Sequence, residues 1–502
     1  MRNIPSTMVS QHPDHATKPY WLNREYISTD LEWHECFLSF SDLGAAEYKW
    51  DWEGKFVDEA VIERLFGQHY YYFKKNNLGK NKFLTFRLPN PKVQTEFRLG
   101  RAFMGILGAA ILAKQVGLHT PPLFEVILPM TESAQEMIDI QEAFTEIANL
   151  KHPIHKMTNG SLKHIELIPL FEQVDTIIRS DAIIDEYLVM HKQKFGFKPD
   201  YLRPYVARSD PALNSGLVPA VLAIKIALSK FADFENQKNI KLFPIIGSAS
   251  LPFRGGLTPN TVKQFCRQYP GIRTALIQSA FRYDYPKKLV IKAIKELEKT
   301  LPNTKPEHIY PSEIMKLKQT INTFELFYRQ TVEGIAKPIN ILANYLPKRR
   351  ERFQHIGLFG YSRGVGKVRL PRAIGFTAAL YNLGAPPEFI ATGRALAHLE
   401  KNANSQVLEK YYQGLKDDLI RAGRFVNKKN LANLAKSSTS WSEVLEDVQK
   451  AEKYFEVVFE PETENEKEHQ KLTSKIYKYF KSGKKLSEVL LTQTAILRQS
   501  MG

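Results

Sequence analysis

Short apolar runs recur along the chain, each followed by a longer stretch with helical spacing. Nine runs have the length and β-branched or aromatic character of strands: 6–10, 47–52, 83–86, 124–128, 165–171, 205–207, 240–246, 274–277 and 355–359. The stretches between them, such as 134–150 and 218–231, carry apolar residues at helical intervals. Strand and helix in alternation is the signature of parallel βαβ units. About eight such units in one chain predict an α/β fold of the TIM (β/α)8 barrel type. Nine candidate strands for eight places leave one outside the barrel, and the last, ending near Gly360, is the expected outsider. From about Gly375 onward the pattern is almost wholly helical. The expected organisation is therefore a barrel over 1–375 with a mainly helical C-terminal extension, 376–502, packed on it.

Composition narrows the class without fixing the chemistry. The 502 residues are 25% charged and 43% hydrophobic, which excludes a disordered chain, a collagen-like chain and a disulfide scaffold. Two cysteines, Cys36 and Cys266, cannot staple a chain of this length and suit a reducing compartment. No apolar run reaches the roughly 18–20 residues that span a bilayer, and the first residues open no apolar signal core. The expectation is a cytoplasmic protein with no membrane partner. The formal charge of +17 admits a nucleic-acid partner, an anionic substrate or a solvated lysine-rich surface. The lysine blocks carry no base-reading motif, so no nucleic-acid partner is expected.

In a barrel, functional groups sit where strands end at their C-terminal rim. Here those positions carry His12, Arg87, Thr131, Glu172, Asp210, Arg254 and Gln278, and the ninth run leads to Arg363. Glu172 and Asp210 are 38 positions apart, one βα unit, which makes them neighbours on the rim. Two such carboxylates with open positions suit Mg2+ or Mn2+, although each also fits the cap of a following helix. Arg254-Gly255-Gly256 couples a bidentate guanidinium to glycines that let backbone approach an anion. Arg87, Arg282 and Arg363 add further cations. Together they point to a compact anion bearing phosphate and carboxylate, where any one alone would be an ordinary surface residue. His12, in Gln11-His12-Pro13-Asp14, is either a structural histidine or a proton carrier.

These residues resemble a known family. The opening 5–14 (PSTMVSQHPD) is similar to the N-terminal signature of archaeal-type phosphoenolpyruvate carboxylases, the short form of that enzyme. So are 47–55 (EYKWDWEGK), 86–91 (FRLPNP), 167–172 (LIPLFE), 208–210 (RSD), 253–259 (FRGGLTP), 278–283 (QSAFRY) and 370–375 (LPRAIG), in order along the chain. The resemblance implies His12 and Arg254 as catalytic residues together with Arg87, and Glu172 and Asp210 as ligands of Mg2+, with Mn2+ an alternative. Arg87, Arg254, Arg282, Arg363 and, more weakly, Arg372 would bind substrate. It also implies phosphoenolpyruvate and bicarbonate as substrates, oxaloacetate and phosphate as products, and a homotetramer. The family's longer members differ in having a lysine where this chain has Leu213, a second Arg-Gly-Gly where it has 257–260 (LTPN), and an arginine where Leu383 follows Asn382. The missing second arginine implies weak or different feedback regulation. The C-terminal 497–502 (LRQSMG) resembles a tail that folds back toward the site. Two rival readings remain: another barrel enzyme acting on an enolate or 2-oxo acid, or a basic nucleic-acid-binding protein.

Overall fold

Eight of the nine apolar runs pair in parallel and close on themselves. The computed structural model describes residues 3–53, 57–93, 97–150, 162–351, 368–401 and 405–502, and the backbone of 363–365. The barrel strands are β1 (Thr7–Ser10), β2 (Glu47–Asp51), β3 (Phe83–Arg87), β4 (Glu125–Leu128), β5 (Glu166–Phe171), β6 (Tyr205–Val206), β7 (Ile245–Ile246) and β8 (Thr274–Ile277). Each pairs with its neighbours in sequence, and β1 closes the ring on β8 with Thr7 opposite Ala275 and Val9 opposite Ile277. This is the predicted (β/α)8 barrel. Only the end of the 240–246 run enters it; Lys241–Leu242 instead pairs with Tyr201–Leu202 outside the ring. The run 355–359 lies outside the described residues, as do Gly54, Lys55, Gly366 and Lys367. Arg363–Val365 and Val368–Leu370 form an antiparallel pair separate from the barrel sheet.

Strand periodicity decides what fills the cylinder. On β2, Tyr48 and Trp50 face the surrounding helices and join the main apolar core, while Glu47, Lys49 and Asp51 occupy the alternate, inward positions. Inside, a small apolar layer is made of Met8, Ile127, Ile168, Leu170, Tyr205, Ala207, Ile245 and Leu276. Towards the N-terminal ends of the strands the interior is closed by ions. Arg203 donates to Glu47 (2.9 and 2.7 Å), to Glu125 (2.7 Å) and to Thr274 (3.3 Å). Tyr201 also donates to Glu125, at 2.7 Å. At this depth the charges are tolerated because they pair with one another.

The C-terminal helices cover the far side of the site. Helix Ala373–Leu383 packs on the 33-residue helix Pro311–Ala343 and on Glu464–Lys481. Helix Glu488–Leu497 leads into a tail that turns back to the barrel, where the Met501 amide donates to the Asp14 carbonyl at 2.6 Å. Arg498 braces the turn by donating to the Met501 carbonyl at 2.6 Å.

Replacing Arg203 by methionine leaves two buried carboxylates without their cation. The expected loss is about 3–5 kcal/mol of stability, read as a lower denaturant midpoint. The triple change of Arg203, Glu47 and Glu125 to apolar residues should recover most of it.

Candidate active site

At the C-terminal rim the chain collects charge that is not fully paired. Arg254 lies in the short 3-10 turn Pro252–Arg254. Gly255 (φ +122°) and Gly256 (φ +69°) follow it in backbone geometry that disfavours other residues, and a Cβ at Gly255 would stand 3.0 Å from that of Ser248. The turn is fixed from two sides. Arg208 donates to the carbonyls of Phe253 (3.0 Å) and Pro252 (3.2 Å), and the Phe253 amide donates to Glu388 at 2.8 Å. The result is a guanidinium only 1% exposed. It donates to Gln278 (2.7 Å), Ser209 (3.2 Å) and the Gly502 carbonyl oxygen. Its nearest described carboxylate is Asp14, at 3.6 Å. Burial lowers its pKa; Asp14 and Asp210 oppose this, and Arg372 adds to it. Arg254 is therefore within electrostatic reach of both Asp210 and Arg372.

His12 follows β1, two strands round the ring from β7, whose following turn carries Arg254. Ser10 engages its Nδ1 at 2.9 Å, which leaves Nε2 as the nitrogen available to a reactant. Its backbone carbonyl accepts from Ser279 at 2.6 Å. Burial, then Lys49, Arg87 and Arg254, hold the imidazole well below its ordinary pKa, with Asp51 opposing. His12 is consequently a neutral base near pH 7. His15, by contrast, is buried against Ser279 and Tyr283.

Glu172 follows β5 on the inward register of Ile168 and Leu170. Asp210 lies in the first turn of helix Ser209–Ser215 after β6. Both act on Tyr205, whose phenol pKa is raised by burial; Arg87 opposes this, and Glu172, Asp51 and Asp210 contribute to it. Glu172 acts on Arg87 as well. The two predicted carboxylates thus both act electrostatically on one phenol, and Asp210 also acts on Arg254. Among the described residues no group of three or more His, Cys, Asp or Glu forms a metal cage. A pair of carboxylates is nonetheless the donor set that suits Mg2+, which keeps several waters and takes further oxygens from a substrate.

The remaining arginines divide. Arg87 is at the rim, but its guanidinium is held by Asp51 (2.6 and 2.8 Å) and Glu53 (2.7 Å). Arg372 caps helix Ala373–Leu383 and is in electrostatic reach of Arg254. Arg282 is not brought to this group. It is sealed beside the barrel, donating to Glu35 (3.1 Å), Tyr283 (2.8 Å) and the Ser10 carbonyl (2.8 Å). Arg350 also binds Glu35, at 2.6 Å. Against burial, Arg350 and Arg282 hold the Glu35 carboxyl down at about 2. The Arg363 side chain lies outside the described residues.

Four residues at the mouth escaped the reading of strand ends. Asp51 and Glu53 hold Arg87, Asp14 faces Arg254, and Lys49 lies buried on the inner face of β2. Burial and Arg87 push the Lys49 ammonium down to about 7, against Asp51, Glu53 and Glu172. The signal was present: charges at 47, 49 and 51 between Tyr48, Trp50 and Trp52 put three ionisable groups on one strand face.

Glu388 ties the helical region to the Arg254 turn. It accepts from Phe253 and, at 2.8 Å, from Tyr381. Burial raises its pKa from 4.5 to about 7. The native state then binds more protons than the unfolded chain between those two values, so stability is full below pH 4.5 and falls as pH rises to about 7. Glu388→Gln should flatten that fall, which unfolding midpoints measured from pH 4 to 8 would show. The difference at pH 8 should be on the order of 3 kcal/mol at most.

Known proteins share this sequence across its length. The profile of the family described as phosphoenolpyruvate carboxylase matches residues 4–502. Among curated relatives, a phosphoenolpyruvate carboxylase of Leuconostoc mesenteroides is 38% identical, the match covering 100% of this chain and 99% of that protein. One of Metallosphaera sedula is 37% identical with 100% of both covered. One of Pyrococcus horikoshii is 40% identical over 85% of this chain and 89% of its own.

Proposed function

The chain belongs to the phosphoenolpyruvate carboxylase family, and from that premise we propose that it joins phosphoenolpyruvate and bicarbonate to give oxaloacetate and phosphate. The observation that carries the reading is that Asp14, Asp210 and Arg372, from three separate segments, all act on Arg254, with neutral His12 two residues before Asp14. A nucleic-acid-binding protein would not hide its cations inside a cylinder.

Each side chain has a task in the proposed reaction. A bicarbonate oxygen attacks phosphorus, the bond from phosphorus to the enol oxygen breaks, and carboxyphosphate and the enolate of pyruvate result. Arg254 faces the transferring phosphoryl group, where negative charge spreads over the equatorial oxygens. Arg372 adds positive potential from the helix side, and Arg87 supplies a fixed charge oriented by Asp51 and Glu53. Neutral His12 then accepts the carboxyl proton as carboxyphosphate divides into CO2 and phosphate, and the enolate C3 attacks the CO2. Glu172 and Asp210 would hold magnesium, or manganese, which when bound supplies Lewis-acid stabilisation of the enolate. Arg282 serves by pinning the end of β1 through the Ser10 carbonyl, which positions His12. The turn 498–502, with the segment 14–17, covers the mouth, as is required to keep water from protonating the enolate. The family resemblance further supports a homotetramer in the cytoplasm. Among the described residues no helix is long and apolar enough to cross a membrane.

The decisive assay couples oxaloacetate to malate dehydrogenase with and without bicarbonate. NADH oxidation that depends on phosphoenolpyruvate, bicarbonate and Mg2+ is expected; activity indifferent to bicarbonate would favour a different enolate enzyme. His12→Asn should reduce oxaloacetate formation by about 10²–10⁴-fold and release pyruvate instead, which lactate dehydrogenase detects. Glu172→Gln should shift the Mg2+ titration to higher concentration, and an unmoved titration would remove it from the metal.

A further inference from the structure

We propose that Lys49 is a substrate-contacting cation of this site: its ammonium meets the phosphoryl oxygens of bound phosphoenolpyruvate from inside the barrel and stays on them as phosphorus passes to bicarbonate. The proposal rests on the carboxylase reading above and adds to it a group from the inner wall.

Three observations carry it. Lys49 lies on the inward face of β2, one step above Glu47 of the sealed floor and one below Asp51 at the rim. It is in register with Ser10, the partner of His12, and with Thr85. Its side chain is 1% exposed. Second, it acts on His12, Asp51, Glu53, Glu172 and Arg87, so its charge lies among the residues of the mouth. Third, among the described residues its ammonium donates no hydrogen bond and has no carboxylate at contact distance. The other cations on this inner wall are accounted for. Arg203 is ion-paired with Glu47 and Glu125, and Arg87 with Asp51 and Glu53.

A buried ammonium with three strong donors and no acceptor is unfavourable unless something supplies one. Carboxylates near but not touching provide the potential that keeps a cation at this depth, while the donors stay open. The missing acceptor must be an oxyanion small enough to enter the mouth and charged enough to displace water. The phosphoryl group is the most highly charged group in the proposed reaction. A lysine suits the position because it offers a compact point charge between Ser10 and Thr85, where a planar guanidinium fork would demand more room. No bond to Lys49 forms or breaks; the bound phosphoryl charge holds it in the ammonium form while the phosphorus exchanges the enol oxygen for a bicarbonate oxygen.

The test uses the full chain with Mg2+ and the variants Lys49→Met, which keeps the stem, Lys49→Ala and Lys49→Arg. Turnover is followed with both substrates varied, and phosphoglycolate is the binding probe. The proposal expects kcat to fall about a hundredfold or more in Lys49→Met. Phosphoglycolate affinity should fall about tenfold or more, with unfolding midpoints near that of the wild type. Lys49→Arg should recover part of the binding, and methylammonium should restore part of the turnover of Lys49→Ala. Wild-type phosphoglycolate affinity in both Lys49→Met and Lys49→Ala would overturn the contact, as would a loss that no amine restores, which marks a purely structural role. A rise in KM for bicarbonate alone would overturn the phosphoryl assignment. Lys49-dependent binding of phosphoglycolate in a protein that forms no oxaloacetate would keep the contact and sink the carboxylase reading. Oxaloacetate formation that is untouched by loss of Lys49 would do the reverse.

Discussion

Arg254 is taken out of water with its nearest described side-chain carboxylate, Asp14, at 3.6 Å and beyond hydrogen-bond distance, and the mouth of the barrel is arranged around that fact. Its hydrogen bonds go to the Gln278 amide oxygen, the Ser209 hydroxyl and a main-chain oxygen of Gly502. A guanidinium so placed has lost much of its hydration and kept most of its field. Its position therefore has to be enforced by other parts of the chain. Arg208 grips the carbonyls behind it, two glycines permit the turn, and Glu388 reaches across from the helical region to the Phe253 amide. Asp14 is held in turn by Ser279 and the Ala280 amide. Each brace comes from a different element, so the site depends on the whole fold being closed.

The two ends of the cylinder illustrate opposite uses of buried charge. At the floor, Arg203 is ion-paired directly with both Glu47 and Glu125, at 2.7 Å each. At the mouth the charges come from several elements and act on one another at longer range, Arg254 and Asp14 at 3.6 Å among them. The apolar layer of Met8, Ile127, Ile168, Leu170, Tyr205, Ala207, Ile245 and Leu276 keeps the two apart. Without it the floor carboxylates would compete for the cations of the mouth.

Most of the architecture was legible in the sequence because strand period and helix period differ, and all eight barrel strands coincide with apolar runs. Rim positions followed from the ends of those runs, which is why His12, Glu172, Asp210 and Arg254 were found. What could not be read was partnership. Nothing local says that Arg87 is gripped by Asp51 and Glu53, or that Arg282 turns sideways to Glu35, since those contacts span 36 and 247 positions. Lys49 was overlooked for a different reason. Attention to strand ends passes over a charge in mid-strand, although its alternation with Tyr48 and Trp50 marks it as inward.

The seam between β1 and β8 joins residues 7–9 to 275–277. His12 leaves the ribosome early, but the serine that holds its carbonyl is made some 267 residues later. Until then β1 has an unsatisfied edge on that side, and the nascent chain carries a bare strand that can pair with any other. Closure is a late, long-range event of the slow kind. A growing polypeptide of this type needs shielding during synthesis, and acquires its chemistry only once the ring is shut.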